Sequence, residues 1–302
     1  MQAVIADREA RGGFRRADIP EPVPQAGQVL IEVRHVSLNR GEARHPGAFP
    51  AGAVLGYDAA GVVIRAAEDG TGPAVGERVV AFGPGAWAER AVFATADVVV
   101  VPESLDLGIA AALPMAGITA LRTLRAVGSV LGREVLITGA SGGVGRFAVQ
   151  LARLGGAYVV ASVGSVQRGA GLTELGADEV VVGLDGITGP FDVILEHVGG
   201  AHLVRAWSLL RPGGVLQSIG WASGEPAVFP PNSIFAHGAA KTLRSFGDAA
   251  DPGRDLATLV DLAARGAVSV QVGWRDSWKR MEGAIQALLG QQVAGKAVMD
   301  ID

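Results

Sequence analysis

Residues 138–146 read TGASGGVGR, and the segments flanking this glycine cluster constrain the fold more than any other stretch of the chain. Before it, EVLITGA (134–140) is short, apolar and β-branched, as a buried parallel strand is. After it, RFAVQLARLGG sets Phe147, Val149, Leu151, Ala152 and Leu154 largely on one side of a helix, which Gly155 and Gly156 stop. AYVVASV (157–163) supplies a second strand. A strand, glycine turn, helix and strand within about 30 residues form the setting of a dinucleotide-binding turn. Ala140, Gly142 and Gly145 take the three fingerprint positions, with alanine replacing the first glycine. Gly142 would let the backbone approach a pyrophosphate, and Gly145 would let the helix pack close on the strand. The helix N-terminus, with Gly143 and Val144, would offer amide donors and a positive dipole end. A glycine-rich turn that binds nothing is the competing reading, and the matching flanks argue against it.

The alternation continues. ADEVVVG, PFDVILEHVGG, GGVLQSIG and KTLRSFG read as further strands, with helical stretches at 166–176 and 201–210, and the pattern ends near the helical LATLVDLAARG (256–266). This predicts an α/β, doubly wound parallel sheet over residues 114–267. The residues in front read differently. QVLIEVRHVSL, AAGVVIRAA, GERVVAFG and AERAVFATADVVVVP are short strand signals between Gly and Pro turns, which predicts a β-rich domain over residues 1–113. WKRMEGAIQALLGQQ and GKAVMDID give a helix and a last strand, and residues 268–302 are expected to return to the β domain. The phosphate turn comes late because its domain is inserted into another.

Composition excludes several functions. The chain has 302 residues, 49% hydrophobic and 19% charged, so a sizeable core is available. Gly, Pro, Arg or Asp interrupts each apolar run short of the ~18 residues of a membrane span. Asp7, Arg8, Glu9, Arg11, Arg15 and Arg16 argue against a signal peptide. The net charge of −4 and the lack of a dense basic block disfavour nucleic acid as a partner. The chain has no cysteine, so disulfides, thiolate catalysis and Cys-containing zinc sites are excluded. These features fit a soluble, cytoplasmic protein.

In chain order, SLNRGEAR, LGYDAAGVV, VGERVVAFG, GAWAERAV, AAALPMAGITALRTL, TGASGGVG, LGADEVV, HVGG and GKAVMDI resemble the medium-chain dehydrogenase/reductase superfamily, specifically its zinc-free quinone oxidoreductase and enoyl reductase branch. The resemblance implies a GroES-like β-rich catalytic domain plus a Rossmann domain, with the active site in the cleft between them. Zinc-dependent relatives carry Cys, His and usually a second Cys where this chain aligns Asn39, Tyr57 and Met115, and none of these suits zinc. The structural zinc lobe is missing, and His35, His45, His197, His202 and His237 contain no H-x-x-x-H pair. No metal site is expected.

Without a metal, the acceptor must itself take hydride, as quinones and α,β-unsaturated carbonyls do, with a hydrogen-bond donor to steady the developing oxyanion. The resemblance makes Asn39 the first candidate, against a loop Asn that bonds its own backbone. Tyr57 is a second donor or the proton source, against a ring that merely packs. Related enoyl reductases carry a catalytic Tyr before the GYD segment, where this chain has Phe49.

The cofactor follows from the end of the second strand. An NAD site has an acid about 20 residues past the glycines, bonding the ribose. That position is Gly164, and no acid follows until Glu174. Ser165 and Arg168 come directly after it and favour NADPH over NADH, against a solvated surface Arg. By the resemblance, Thr119, Val198, Gly199, Gly220, Phe246 and Gly247 also contact the cofactor. Lys296 is the family's usual lysine at this place, and Gln291 and Gln292 stand where some quinone reductases place an Arg. Three functions remain open: an NADPH-dependent quinone or activated C=C reductase, a zinc-free carbonyl reductase or dehydrogenase of secondary metabolism, and a non-catalytic NADPH-binding protein. The Tyr-x-x-x-Lys of short-chain reductases is absent, since Gly61 and Ser162 follow Tyr57 and Tyr158 at that spacing. A homodimer through a Rossmann edge strand is expected.

Overall fold

In the computed structural model, which describes residues 1–235, 238–247 and 249–302, the valine- and isoleucine-rich runs around the glycine cluster form a six-stranded parallel sheet. From edge to edge its strands are Glu179–Val182, Tyr158–Val163, Glu134–Ile137, Phe191–Glu196, Leu210–Ser218 and Thr242–Ser245. Counted along the chain this is order 3-2-1-4-5-6, the doubly wound arrangement expected from the sequence. The order reverses between Glu134–Ile137 and Phe191–Glu196, so the turns that follow these two strands meet at the carboxyl edge. Leu136, Val160, Ile194, Leu203, Trp207 and Leu216 form the core on one side of this sheet. The apolar stripe read from the sequence buries Phe147, Val149 and Ala152 of the helix Gly143–Leu154.

The β-rich unit has a seven-stranded sheet. Its path runs Val272–Ser277, Lys296–Asp300, Gln28–Leu38, Asp58–Arg65, Arg78–Phe82 and Val98–Val100, with Arg90–Ala94 also paired to the long strand Gln28–Leu38. The chain end returns to this unit as expected, with Ala297 opposite Leu38 in antiparallel register. Strands Gln2–Ala6 and Phe14–Asp18, which the sequence reading did not identify, add a two-stranded antiparallel sheet. Strand Val272–Ser277 was likewise not anticipated. Val29, Ile31, Val36, Val63, Trp87, Trp278 and Met299 fill the core of the unit.

The chain divides into two compact units, Met1–Ile118 with Ala249–Asp302, and Thr119–Asp248. The sequence reading drew the borders at 113/114 and 267/268, and the helix Gly253–Ala264 makes most of the difference. That helix is amphipathic and suits either unit. A Cβ on Gly253 would lie 2.2 Å from the carbonyl oxygen of Ala96, and Leu259 packs on Gly117, so the contacts assign it to the β-rich unit. The helix expected over 166–176 is only a 3-10 turn, Val166–Gly169. Gly171 and Gly176 beyond it adopt positive φ, which right-handed helix forbids. Among the described residues no helix is long and apolar enough to cross a membrane. His237 lies outside the described residues.

Candidate active site

The glycine turn is shaped by two contacts. Gly139, with φ +57°, makes the left-handed turn that leaves the first strand. Ala140 needs no positive φ, which is why an alanine is tolerated at the first fingerprint position. A Cβ on Gly145 would lie 2.6 Å from both the Ala140 Cα and the Gly139 oxygen, so only glycine lets the helix start this close to the strand. The amides of Gly143, Val144 and Gly145 begin the helix Gly143–Leu154 and have no acceptor within it. They form a ready anion site.

Two guanidinium groups border this turn. Arg168 donates from Nε to Ser141 Oγ at 3.0 Å, so it is turned inward rather than solvated. Arg146, buried, donates from Nε to the Ser141 carbonyl at 3.2 Å and from Nη2 to the Ala170 carbonyl at 2.9 Å. Burial, and then the charge of Arg168, push the Arg146 pKa down. Both guanidinium groups are thus held beside one turn. The sequence reading named Arg168 and missed Arg146, which sits one residue past the fingerprint, where nothing in the pattern distinguishes it from a surface helix residue. Around Gly164 there is open space for a side chain, and Ser165 precedes the Val166–Gly169 turn.

At the neighbouring strand end, Glu196 is fully buried. It accepts from Thr138 Oγ1 at 3.1 Å, from Val198 N at 2.9 Å and from Gly199 N at 2.9 Å. Burial alone would raise its pKa, but His202 and these amides outweigh it and hold the carboxyl below its ordinary value. The carboxylate therefore fixes the turn 197–199. The ring Nδ1 of His197 lies 2.8 Å from the Thr138 carbonyl, and its Nε2 is sealed from solvent. Burial pushes the His197 pKa down, so the ring is neutral, with the Nδ1 proton on Thr138. Gly220 packs against the His197 carbonyl, which a Cβ there would approach to 3.0 Å, and Phe246 N donates to the Ser218 carbonyl at 2.9 Å, with Gly247 next along. The turn, the 197–199 segment and Gly220 thus meet at the carboxyl edge. Thr119 is buried in the helix Pro114–Ala126 and accepts from Thr123 Oγ1 at 2.8 Å.

The β-rich unit gathers the other candidates into a buried charged cluster. Asp58, fully buried, accepts at Oδ2 from Ser37 Oγ at 2.7 Å, Asn39 Nδ2 at 2.9 Å and Lys296 Nζ at 3.2 Å, and at Oδ1 from Met115 N at 3.1 Å. Lys296, itself buried, also donates to the Leu38 carbonyl at 3.2 Å and to Asn39 Oδ1. Asn39 gives its second amide contact to Glu42 Oε1 at 3.1 Å, and its backbone N–H bonds the same oxygen at 2.7 Å. The side chain expected to bond an acceptor thus has its amide group committed within the protein. Tyr57 is half-buried, with the rings of Phe49 and Phe82 at 5.9 Å and 5.8 Å. Burial, and then the charge of Glu42, raise its phenol pKa.

The positions aligned with zinc ligands do converge here, since Asp58 bonds Asn39 and the Met115 backbone and is chain neighbour to Tyr57. They carry an amide, a thioether and a phenol, and the buried positive charge is the Lys296 ammonium. These residues do not fit a zinc ion. Among the described residues no group of three or more His, Asp or Glu is placed to hold a metal. Sequence reasoning missed Glu42 and Asp58, although NRGE carries the N-cap-to-N3 spacing that ties an acid to a helix start.

Comparison with known proteins gives a consistent picture. A model of the alcohol dehydrogenase GroES-like domain matches residues 25–103, and a model of zinc-binding dehydrogenases matches residues 143–265. The chain is 37% identical over 186 residues to the chloroplastic quinone oxidoreductase QR1 of Triphysaria versicolor, covering 55% of this chain and 56% of that protein. The chain spans about half the length of the first curated relatives it matches. The solved quinone oxidoreductase of Coxiella burnetii superposes with a TM-score of 0.85 at 25% identity, over 100% of this chain and 99% of the other. A mycobacterial protein solved with NADPH superposes with a TM-score of 0.88 at 25% identity, over 100% of both chains.

Proposed function

The chain belongs to the medium-chain dehydrogenase/reductase superfamily, in its quinone oxidoreductase branch, and we propose that it is a zinc-independent reductase transferring hydride from NADPH to a quinone or an activated C=C acceptor. The observation that carries this reading is the inward Arg168, bonded to Ser141 of the glycine turn beside the buried Arg146. NADPH, when bound, supplies the hydride. The amides of Gly143, Val144 and Gly145 bind its pyrophosphate. Ser165 and Arg168 hold the 2′-phosphate, and Gly164 carries no acid to repel it. The segment Val198–Gly199, kept rigid by Glu196, Gly220 and the stretch Phe246–Gly247 border the nicotinamide, with Thr119 completing the set. Tyr57 donates a hydrogen bond, and then a proton, to the oxygen of the acceptor. Asn39 positions Glu42 and Asp58. An acceptor of this class fits a cluster in which an amide, a phenol and a thioether stand where zinc-dependent relatives keep their metal ligands, with the Lys296 ammonium beside Asn39.

The homodimer is part of the same reading. The strand Thr242–Ser245 is exposed along its length, Leu243 included, and ends the parallel sheet. Light scattering at micromolar concentration tests it, and a monomer would refute it.

The direct test is cofactor oxidation by the purified chain with NADPH or NADH against quinones, enones and simple aldehydes, with and without chelator. NADPH-dependent turnover of a quinone or enone that survives the chelator is expected. The Arg168→Ala variant is expected to weaken NADPH about 10- to 100-fold, as loss of a charge-assisted bond does, while NADH kinetics stay unchanged. NADPH binding without turnover of any acceptor would replace this reading with the non-catalytic one. Turnover confined to aldehydes would favour the carbonyl reductase.

A further inference from the structure

Arg146 is charged and only 6% exposed, yet the hydride chemistry gives it no role of its own. A guanidinium taken out of water is costly unless its hydrogen bonds are satisfied. Those of Arg146 reach two separate parts of the chain. Nε donates to the Ser141 carbonyl in the glycine turn at 3.2 Å. Nη2, on the same edge of the planar fork, donates to the Ala170 carbonyl at 2.9 Å. Among the described residues both acceptors are neutral, and no carboxylate joins them. The fork thus ties the turn after the strand Glu134–Ile137 to the segment after the strand Tyr158–Val163. That segment holds itself weakly. Gly164, Val166, Gln167 and Ala170 are exposed. Its own backbone bonds run from Arg168 N to the Ser165 carbonyl at 3.1 Å and from Ala170 N to the Gln167 carbonyl at 3.4 Å, the poor geometry of a short 3-10 turn. Packing begins at Gly169, where a Cβ would come within 2.9 Å of Val180, and at the fully buried Leu172. Arg168 sits within this segment, and its Nε donates to Ser141 Oγ at 3.0 Å. One arginine therefore holds the carbonyl of Ser141 and the other its hydroxyl.

We propose that Arg146 is a positioning residue for cofactor selection, a role that rests on the assignment of Arg168 to the 2′-phosphate of NADPH. By clamping the Ala170 carbonyl to the glycine turn, Arg146 fixes the segment that carries Arg168. An arginine held in place before its ligand arrives loses less freedom on binding. That saving applies only to a cofactor that carries the phosphate. NADH gains nothing from the clamp beyond the shape of the glycine turn itself. Discrimination between the two cofactors then has two layers: Arg168 meets the phosphate, and Arg146 keeps Arg168 where it can. A lysine at 146 would keep the charge but not the two-pronged planar edge.

Isothermal titration of the full chain with NADPH and with NADH, in the absence of any acceptor, tests this as a ratio of dissociation constants. Loss shared by both cofactors reports the glycine turn, and loss confined to NADPH reports the phosphate contact. Arg146→Met is expected to lower the preference for NADPH about 3- to 10-fold, the cost of ordering one long side chain on binding. In an Arg168→Ala background the same substitution should lower the preference no further, because the residue it positions is gone. A second drop of equal size in that background would mean that Arg146 meets the phosphate itself, and it overturns the positioning role. A wild-type preference that Arg146→Met leaves intact overturns the proposal alone. A wild-type chain without preference overturns the NADPH reading, and the proposal with it. Amide hydrogen exchange on the cofactor-free protein gives a second measurement. Exchange at 166–172 should quicken in Arg146→Met while the strand Glu134–Ile137 keeps its protection, and unchanged exchange overturns the clamp whatever the cofactor. Should Arg146→Met fail to fold, Arg146→Lys decides by the same ratio. The preference is expected to fall there too, and an intact one overturns the proposal.

Discussion

The glycine turn and the buried charged cluster solve opposite problems. The turn is built from backbone: a left-handed Gly139, a Gly145 that leaves no room for a Cβ, and helix-start amides without acceptors in the helix. Its parts lie within a single short stretch of chain. The cluster works through side chains brought from Ser37, Asn39, Glu42, Asp58 and Lys296, the last of them more than two hundred residues from the others. A local backbone device tolerates change in its side chains but no added bulk. A long-range charged device depends on every member, because each removed partner strands another in a dry interior.

The largest effect is therefore expected in the cluster. Lys296→Met keeps the bulk of the side chain and leaves the fully buried Asp58 without its cation. Breaking a buried pair in this way costs about 3–5 kcal/mol. Urea unfolding would measure it, with thermal melting as a second probe. Because the cost lies in the stranded carboxylate, Asp58→Asn combined with Lys296→Met should cost less than Lys296→Met alone. If the single substitution cost under about 1 kcal/mol, below the range for stranded charges, the cluster would be a surface-like network and the contrast would fail.

At the turn, added bulk rather than lost charge is the damaging change. Gly145→Val forces atoms onto Ala140 and Gly139, at positions where even a Cβ would come within 2.6 Å. Overpacking of this kind costs about 1–3 kcal/mol. The strain falls on the glycine turn proposed to hold the pyrophosphate, so NADPH affinity should drop by at least tenfold while the β-rich unit keeps its folding signal. Isothermal titration with NADPH measures this. Unchanged affinity would mean that the turn does not contact the cofactor.

The same contrast explains what was legible in the sequence. Strand, turn and helix announced themselves because periodicity and glycine act locally, and the doubly wound sheet followed from their alternation. The helix expected over 166–176 failed for a local reason too, the glycines at 171 and 176. The helix Gly253–Ala264 was read correctly as a helix, but its amphipathic face does not say which unit it covers. Glu42 and Asp58 looked like ordinary charged residues beside loops. Their burial follows from the return of the final strand to Gln28–Leu38, which brings Lys296 beside them. No spacing rule contains that pairing. Asn39 was found as a site residue for its chemistry, and the structure gives it to the cluster. Arg146 was missed because only the packing of residues 170 and 171 on it turns it inward.

Stability should carry the imprint of Glu42 in a defined pH window. Its pKa rises from 4.5 in the free side chain to about 8 in the fold, chiefly through burial. Between these values the folded protein keeps a proton that the unfolded chain has released. The contribution is fully present below 4.5 and is lost as pH rises through about 8. Within the window, unfolding free energy should fall with a slope of up to about 1.4 kcal/mol per pH unit from this one group. Glu42→Gln should flatten that component, which chemical denaturation at pH 5, 6, 7 and 8 can resolve as a difference between variants. Parallel curves for the two proteins would place Glu42 in contact with solvent.

The smallest effect is expected for the side-chain contact between Ser141 and Arg168. Ser141→Ala removes the acceptor for Arg168 Nε and leaves the amides of the helix start untouched. A single hydrogen bond is worth about 0.5–1.5 kcal/mol, so NADPH affinity should fall no more than about tenfold, and NADH affinity should not change. Arg146 still bonds the Ser141 carbonyl, which the substitution preserves, so the turn keeps its shape. A loss as large as that of Gly145→Val would mean that Ser141 carries the phosphate itself. The turn would then rely on side chains as the cluster does, and the division between backbone and side-chain sites would not hold in this molecule.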